Sequence, residues 1–268
     1  MSATYTTPRE AMKIMGRVFF ALILREAETR YGRLKIGYLW AFLEPILFIA
    51  ALSLIFSYFR GLQSGSMPQT LFYTTGIMPF FLFRDILVRA MSAIQSNFQL
   101  LTFPQVQVFD LIIARVLLEV ATFFIVFTVL VGTIAISNFE PVHIDDPLKI
   151  LEAITLISLL GLGFGIAFAA LVPLFPTVQF LVNSVLIRPL FFISGIFFTA
   201  DILPDKIRHY ALYNPLMQLG ELFRSGFFTQ YESNYVDIPY LTGFTLITLF
   251  LGLLLQRALK RHALRVPI

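Results

Sequence analysis

Six long apolar stretches restrict the possible folds of this chain more than any other feature. A helix needs about 20 mostly apolar residues to cross the ~30 Å hydrocarbon core of a bilayer. The six stretches lie at about Ile36–Tyr58, Leu71–Leu87, Leu111–Ser137, Ile150–Leu171, Val178–Phe198 and Ile238–Leu255. Only 13% of the 268 residues are charged, whereas an average soluble domain has about 25%. We therefore predict an all-α membrane protein with a domain of six transmembrane helices over residues 36–257.

Lysine and arginine are distributed unevenly about the predicted spans. Thirteen of them lie on the side that holds both termini, and five lie on the opposite side. Because these residues concentrate in cytoplasmic loops, the bias predicts that both termini, including the tail over residues 258–268, are cytoplasmic. The excess of cations indicates contact with anionic lipids, and no nucleic acid partner is expected.

The N-terminal region, residues 1–35, is predicted to be cytoplasmic and to carry an amphipathic helix that lies at the membrane interface. Basic residues recur every four positions along one face of this helix, at Arg9, Lys13 and Arg17. The residues that can face the acyl chains are Met12, Met15, Phe19 and Leu22. Such a helix is typical of interfacial attachment. It serves either as a simple anchor or as an elbow that receives motion from a cytoplasmic partner.

Two connecting segments are unusual for loops. Residues 95–107 combine polar and apolar side chains and are interrupted by Pro104, which predicts a short cytoplasmic helix that docks on a partner or, alternatively, a turn packed on its own protein. Residues 199–237 face outward and contain apolar runs too short to span a bilayer. We predict one or two short re-entrant helices there, because exposed irregular backbone is not tolerated in lipid.

Several ionisable residues fall within the predicted spans, where each needs a partner or a cavity. Arg115 and Glu119 are four residues apart, so they share a helix face and can pair. Glu44 either bonds to a neighbouring helix or contacts a substrate. Arg188 has no acid one turn away, so its partner must come from another helix, another subunit or a ligand.

Aromatic residues cluster near Arg188 on the fifth stretch. Aromatic rings suit the apolar faces of sugar rings, although most phenylalanines in a span are hydrophobic filling. We predict that a group of charged and aromatic residues lines a conduit, namely Glu44, Arg188, Phe191, Phe192, Phe197 and Phe198.

The chain carries no recognisable sequence motif for catalysis. It contains no G-x-x-x-x-G-K-[ST] phosphate-binding loop, no cysteine and only three scattered histidines. We therefore assign no catalytic or metal-binding residue and no cofactor bound by this chain. Active transport would need a separate ATPase subunit that uses ATP and Mg²⁺. Because six helices give only a thin wall for a bulky solute, a homodimer is expected.

Four sequence segments resemble one family of transporters. They are Leu24–Arg33, Gly37–Pro45, Arg188–Phe198 and the pair Tyr213–Leu216 with Glu221–Phe228. Together they resemble the polysaccharide-export permeases of ABC transporters, in particular the capsule exporters of Gram-negative bacteria. The similar segments extend from the N-terminal helix to the last outward loop, so the resemblance covers nearly the whole chain.

This resemblance implies a function and a set of partners. Two permease copies would associate with two ATP-binding cassette subunits in the bacterial inner membrane. A lipid-linked polysaccharide would enter from the cytoplasmic leaflet and leave toward the periplasm. A polysaccharide co-polymerase and an outer-membrane export protein would continue its path.

The resemblance and the residue patterns together predict three further groups of site residues. The substrate entrance would comprise Arg25, Arg30, Tyr31, Arg33, Lys35, Tyr38 and Trp40, whose cations could equally contact anionic phospholipid. The ATPase-coupling segment would comprise Gln95, Ser96, Asn97, Phe98, Leu100, Phe103 and Pro104. The periplasmic gate would comprise Pro204, Tyr213, Asn214, Pro215, Glu221 and Arg224.

Three other functions compete with capsule export. An O-antigen or teichoic-acid export permease would use the same mechanism on another polymer. A membrane enzyme acting on a lipid-linked sugar would require paired acids or a metal cluster, which the sequence does not suggest. A gated channel without an energy source would conduct when purified alone.

Overall fold

The computed structural model describes residues 8–31, 36–58, 67–103, 106–137 and 140–263, and side chains within 16–29, 39–56, 67–103, 106–137 and 140–259. Across these residues the chain is helical and contains no strand. The long helices are α1 (Pro8–Tyr31), α2 (Ile36–Tyr58), α3 (Gln69–Met91), α5 (Val108–Ile136), α6 (Pro147–Leu171) and α11 (Ile238–Ala263). The short helices are α4 (Ala93–Ser96), α7 (Thr177–Leu181), α8 (Ile187–Ile193), α9 (Asp205–Ala211) and α10 (Pro215–Phe227).

Five of the described helices are long and apolar enough to cross a membrane: α2, α3, α5, α6 and α11. This agrees with five of the six predicted spans. The fifth predicted span, Val178–Phe198, is instead a 17-residue helical run, Thr177–Ile193, that is interrupted by a π turn at Val182–Leu186. The helix stops early because Gly195 adopts a φ of 72°, a left-handed conformation that ends helices.

Helix α3 is the centre of the molecule. Most of its residues are buried, whereas few residues of α2 and α11 are buried. It packs against α2, α5, α6 and α10. Glycines in α6 permit the close approach of α3, since a Cβ added at Gly161 would lie 2.9 Å from Ile86 and one at Gly165 would lie 2.4 Å from Ala90. Small residues therefore allow tight packing of the membrane helices.

The two ends of the bundle differ in their short elements. We call them the α1 end, where α3 finishes and α4 follows, and the α10 end, where α3 begins. The α10 end contains α9, α10 and a 3₁₀ turn at Ala200–Ile202. This agrees with the prediction of short helices within residues 199–237.

Local sequence explains where several helices begin at the α10 end. Asp146 accepts hydrogen bonds from the backbone N–H groups of Leu148 and Lys149, and Pro147 occupies the first turn of α6. Asn214 and Pro215 start α10 in the same way. The start of α3 is capped from a distance: both oxygens of Glu140 accept backbone N–H groups, from Thr70 and Leu71, at 2.9 and 3.0 Å. The Glu140 cap therefore attaches the start of α3 to the segment between α5 and α6.

Helix α1 differs from its predicted setting. The prediction turned Phe19 and Leu22 toward acyl chains, but Leu22 is buried against Leu111 and Ala114 of α5, and Phe19 packs beside it. The described part of α1 therefore buries apolar surface against the protein, because α5 offers an apolar strip at its start.

The segment that we predicted to form a coupling helix, residues 95–107, also differs from its prediction, because it is not one continuous helix. It consists of two shorter pieces, α4 and a 3₁₀ helix at Phe98–Thr102, and α5 begins at Val108. The break between the pieces lies at Asn97, whose backbone leaves the helical region with φ −125° and ψ 23°.

Candidate functional site

A group of ion pairs lies between helices at the α1 end. Arg84 of α3 lies 2.8 Å from Glu44 of α2 and 2.8 Å from its neighbour Asp85. The guanidinium of Arg84 also lies 4.0 Å from the centre of the Phe81 ring. Charges in a membrane-embedded region need such partners. Glu44, which we predicted to line a conduit or to bond to a neighbouring helix, therefore joins α2 to α3.

A second set of pairs connects α1, α3 and α5. Arg115 lies 2.8 Å from Glu26 of α1, and it donates hydrogen bonds to the carbonyl oxygen of Arg89 and to Ser92 Oγ at the end of α3. Arg89 lies 3.5 Å from Glu119. We predicted that Arg115 and Glu119 could pair along their shared helix face; the ion pairs described here join Arg115 to α1 and Glu119 to α3.

These charges border a cavity of about 380 Å³ between α2, α3 and α5. Trp40 and Glu44 line it from α2, and Thr122 and Phe123 line it from α5. The α3 residues that line it include Arg84, Asp85 and Arg89. We call this space the charged cavity. It could hold a polar group within the membrane, because it combines fixed charges with aromatic walls.

The predicted entrance residues have different surroundings. Arg25 donates a 3.0 Å hydrogen bond to Asn97 of the link after α3. Trp40 is 59% exposed and lies at the charged cavity. The remaining predicted entrance residues lie outside the described side chains: Arg30, Tyr31, Arg33, Lys35 and Tyr38.

The predicted coupling segment presents two faces. Asn97 is buried and Leu100 packs on the apolar contact between α1 and α5. Phe103 is 56% exposed, and Ser96 is exposed as well. Gln95 and Phe98 are half-buried, and Pro104 lies outside the described residues. The segment therefore has one face attached to α1 and another that is free to meet a partner.

The predicted conduit residues on the fifth apolar run are only partly brought together. Arg188 is exposed, and it has no hydrogen bond or ion pair to any residue that the structure describes. Phe191 lies inside an aromatic cluster, with ring centres 6.0 Å from Phe48, 5.3 Å from Phe80 and 5.5 Å from Phe197. Phe191 therefore packs α8 against α2 and α3.

The other aromatic residues of this run are more accessible. Phe192 is 62% exposed and stacks on Phe197 at 5.7 Å with an interplanar angle of 14°. Phe197 and Phe198 are half-buried. Phe192 is thus the phenylalanine of this group that offers a ring edge and face to a ligand.

The predicted gate residues form a buried network at the α10 end. Arg224 is fully buried and donates hydrogen bonds to the carbonyl oxygens of Gly195 and Ile196. Glu221 is also fully buried, 3.9 Å from Arg224, and accepts hydrogen bonds from the Ala200 N–H and the Tyr231 hydroxyl. Burial, followed by the Glu221 carboxylate, raises the pKa of Tyr231 well above its usual value. Tyr231 therefore remains a hydrogen-bond donor at neutral pH.

The rest of the predicted gate lies nearer the surface. Asn214 caps α10 and donates hydrogen bonds to the Ile193 carbonyl and Ser194 Oγ at the end of α8, both at 3.2 Å. Tyr213 is 62% exposed, Pro204 precedes α9, and Pro215 begins α10. Asn214 and Arg224 together attach the end of the α7–α8 run to α10.

The sequence did not suggest that Glu26, Arg84, Asp85 and Arg89 belong to a site. The two arginines contributed only to the charge count across the membrane. A usable signal was present, since Arg84 and Asp85 lie inside an apolar stretch, where charges are costly without a partner.

Comparison with known proteins places the chain in a family. The model of the ABC-2 type transporter family matches residues 17–228. The polysialic acid transport protein KpsM of Escherichia coli is 36% identical over 249 residues, which cover 93% of this chain and 96% of that protein. The capsule polysaccharide export inner-membrane protein CtrC of Neisseria meningitidis serogroup A is 32% identical over 251 residues, which cover 91% of each chain.

A more distant relative carries a different polymer in its name. The O-antigen export system permease protein RfbA of Klebsiella pneumoniae is 27% identical over 260 residues, which cover 92% of this chain and 94% of that protein. The predicted resemblance to capsule-export permeases is confirmed, and the helices described above agree with a multi-pass membrane protein. This chain belongs to the ABC-2 type transporter family of membrane proteins.

Proposed function

We propose that this chain is the permease subunit of an ATP-driven exporter that moves a lipid-linked capsular polysaccharide from the cytoplasm to the periplasm. The observation that carries the proposal is identity above 30% over at least 91% of the chain to KpsM and CtrC. KpsM is named for polysialic acid, so we further propose that the polymer carries acidic groups. A separate ATP-binding cassette subunit supplies ATP hydrolysis.

The charge distribution supports an orientation. Thirteen lysines and arginines lie toward the termini, and five lie on the other side. By the positive-inside rule, the α1 end faces the cytoplasm and the α10 end faces the periplasm, with both termini cytoplasmic in the inner membrane. The charged cavity then opens near the cytoplasmic leaflet. We assign the substrate entrance to this region and to the basic residues that precede α2.

The exposed face of the link after α3 suits an ATPase. Phe103 is more than half exposed, yet it follows a segment that is firmly attached to α1 through Asn97 and Leu100. A partner that moves this face would therefore move α1 and α5 as well. We propose that Ser96 and Phe103 contact the nucleotide-binding subunit, while Asn97 and Leu100 pass its motion to α1.

A homodimer would complete the conduit. Helix α2 and the α7–α8 run expose large apolar side chains, including Phe48 and Phe192. The exposed charge of Arg188 lies on the same run. Two copies that face each other would remove this charge from lipid. In this arrangement α9 and α10 form the periplasmic gate, from which a co-polymerase and an outer-membrane export protein receive the polymer.

The experiment that tests the proposal is a gene replacement. The native capsule permease gene of an encapsulated host is deleted, this chain is expressed with its own ATPase subunit, and surface and intracellular polysaccharide are measured. We expect surface polymer to return and the ATPase to co-purify with this chain. Absence of surface polymer from a membrane-inserted protein, or purification without a nucleotide-binding subunit, would overturn the proposal.

The O-antigen alternative is supported by the 27% identity to RfbA. It is distinguished by the same experiment in a host that lacks its O-antigen permease. Restored O-antigen without restored capsule would favour the alternative. A matched control is the same chain expressed with an ATPase subunit that cannot hydrolyse ATP, which should restore neither polymer.

A further inference from the structure

The helical run from Thr177 to Ile193 contains an irregular turn that changes which of its residues share a helix face. Residues Val182–Leu186 form a π turn between α7 and α8. A π turn closes hydrogen bonds between residues five apart and therefore brings residues i and i+5 onto nearly the same face. In a regular α-helix, with 3.6 residues per turn, residues i and i+5 would be about 140° apart. π turns occur frequently at functional sites.

Burial along the run follows this five-residue spacing. Val182 and Ile187 are five residues apart and are both buried, with 3% and 9% exposure. Asn183 and Arg188 are also five apart and are both exposed. The π turn thus keeps one face packed against the protein while it places an amide and a guanidinium together on an outward face.

The outward face continues in both directions. Gln179 lies one α-helical turn before Asn183 and is half-buried. Phe192 lies one turn after Arg188 and is 62% exposed. We call Gln179, Asn183, Arg188 and Phe192 the polar stripe.

Apart from Thr177 at the start of the run, the other exposed residues are apolar, as expected for contact with lipid. Leu181, Val185 and Phe180 expose 48%, 58% and 65% of their surface. The run therefore has a polar face and an apolar face. Arg188 has no ion pair among the described residues, and an unpaired charge in hydrocarbon is costly. The polar stripe therefore needs water, a ligand, another chain or a partner outside the described part of this chain.

We propose that the polar stripe contacts the polysaccharide as it passes through the conduit. This inference rests on the proposed function and adds to it the residues that hold the polymer. Arg188 can form charge-assisted hydrogen bonds with the carboxylate or phosphate groups of an acidic polymer. The amides of Gln179 and Asn183 can donate to and accept from sugar hydroxyls.

The last residue of the stripe, Phe192, adds an apolar contact to these polar ones. The ring of Phe192, held by its stack on Phe197, presents an apolar face to a sugar ring. The four side chains follow the helix toward the α10 end, where Arg224 and Asn214 attach that helix to α10. A sugar chain would therefore pass from the amides to the guanidinium and then to the ring on its way to the gate.

The chain is well suited to a labelling test because it contains no cysteine. Single substitutions Asn183→Cys, Arg188→Cys and Phe192→Cys probe the stripe, and Leu181→Cys and Val185→Cys are matched controls on the apolar face. The full chain is assembled with its ATPase in membrane vesicles and treated with a membrane-impermeant maleimide, with and without an acidic capsular polysaccharide. Labelling of this chain is followed by a shift on a gel.

We expect stripe cysteines to react at least about tenfold faster than the controls, because the reactive thiolate forms in water and not in lipid. Added polymer should slow the labelling of stripe cysteines and leave the controls unchanged. Equal labelling on both faces would overturn the inference. So would fast labelling that the polymer does not slow, or disulfide crosslinking between two copies at these positions without polymer protection, which would assign the face to the dimer contact.

A pair of length variants tests the role of the π turn. Deletion of Val185 places Arg188 four residues after Asn183, which a regular α-helix aligns. Insertion of one alanine after Leu186 places them six apart and on different faces. We expect the deletion variant to export polymer within about twofold of the unmodified chain and the insertion variant to lose about tenfold or more, at equal membrane levels. The reverse order would contradict the inference.

The two proposals fail in different ways. If the unmodified chain exports no polymer, the proposed function is wrong. If it exports polymer normally while the stripe and control cysteines label alike, only the assignment of the polar stripe is wrong.

Discussion

Arg224 Nη1 of α10 lies 2.5 Å from the carbonyl oxygen of Gly195, the residue that ends the α7–α8 run. The same guanidinium bonds to the Ile196 carbonyl at 3.2 Å and lies 4.2 Å from the centre of the Phe72 ring of α3. A fully buried cation thus provides hydrogen bonds to two backbone carbonyls just beyond the end of the helix. It joins the end of the α7–α8 run, α10 and the central helix α3 at one point.

The first prediction concerns this junction. Arg224→Met removes the cation, leaves the Gly195 and Ile196 carbonyls without their donor and leaves buried Glu221 without its neighbouring positive charge. Removing one partner of a buried charge pair costs about 3–5 kcal/mol. We expect a large fall in the thermal unfolding temperature of the detergent-purified protein.

Lys206→Met is the matched control, because Lys206 is an exposed cation on α9. It should leave the unfolding temperature nearly unchanged. An Arg224→Met protein as stable as the control would show that Arg224 does not hold the α7–α8 run to α10.

The second prediction concerns the contact between α6 and α11. A Cβ added at Gly252 would lie 2.5 Å from the backbone oxygen of Gly163. Gly252→Ala must therefore separate two helices, at an overpacking cost of about 1–3 kcal/mol. This exceeds the gain of about 0.5–1 kcal/mol from replacing glycine within a helix. We expect a lower unfolding temperature.

Gly243→Ala in the same helix provides the control. A Cβ added at Gly243 meets no heavy atom within 4 Å among the described residues, so this change should be neutral or slightly stabilising. If both variants unfold at the same temperature, close glycine packing does not stabilise the α6–α11 contact.

The sequence predicts the membrane class, five of the spans and the short helices within residues 199–237 because these depend on the local density of apolar residues. It misplaces the end of the fifth predicted span, since apolar residues continue to Phe198 but the helix ends at Ile193. The decisive features are a π turn and the φ of 72° at Gly195. Neither feature can be predicted from the amino-acid composition of the segment.

The sequence also fails to predict contacts between residues that are far apart along the chain. Four-residue spacing correctly places Arg115 and Glu119 on one face, but it cannot indicate that Arg115 meets Glu26 of α1. Likewise, the amphipathic pattern of α1 fits lipid and α5 equally well, because both are apolar. Only the tertiary structure shows that Leu22 packs on Leu111 and Ala114.

The third prediction measures the link between α1 and α5. Arg115 and Glu26 are separated by 2.8 Å and are both largely shielded from water, with 8% and 17% side-chain exposure. In a double-mutant cycle of Arg115→Met and Glu26→Gln, residues in contact show coupling energies of about 0.5–3 kcal/mol. We expect a coupling in this range from unfolding free energies.

The corresponding cycle of Arg115→Met with Glu152→Gln is the reference. Glu152 is exposed near the start of α6, at the α10 end of the bundle, whereas Arg115 lies near the α1 end. Its coupling to Arg115 should therefore be near zero. Equal coupling in both cycles would contradict a specific contact between α1 and α5.

The fourth prediction is a pH dependence at the α10 end. The pKa of Tyr231 is raised by burial and by Glu221, so its stabilising contribution is fully present below the unfolded tyrosine pKa of about 10. It is lost progressively as the pH rises above that value, because only the unfolded state releases the proton readily. We expect the unfolding temperature to fall more steeply above pH ~10 in the unmodified protein than in Tyr231→Phe. Parallel curves would contradict this role of Tyr231.

The fifth prediction separates the two faces of the link after α3, and it rests on the proposed contact with an ATPase. Phe103 is 56% exposed, whereas Leu100 packs on the contact between α1 and α5. Phe103→Asp should therefore reduce co-purification of the ATPase and export while the protein keeps its unfolding temperature. Leu100→Asp should lower the unfolding temperature as well, because it places a charge in an apolar contact.

Gln99→Asp controls for added charge on this segment. Gln99 is exposed within the same 3₁₀ helix, so this variant introduces a carboxylate without removing apolar surface. We expect it to retain most ATPase binding, because loss of the Phe103 ring and not the added charge should weaken the contact. Normal ATPase binding and export by Phe103→Asp would remove this face from the coupling mechanism, and a stable Leu100→Asp protein would show that Leu100 does not anchor the segment to α1.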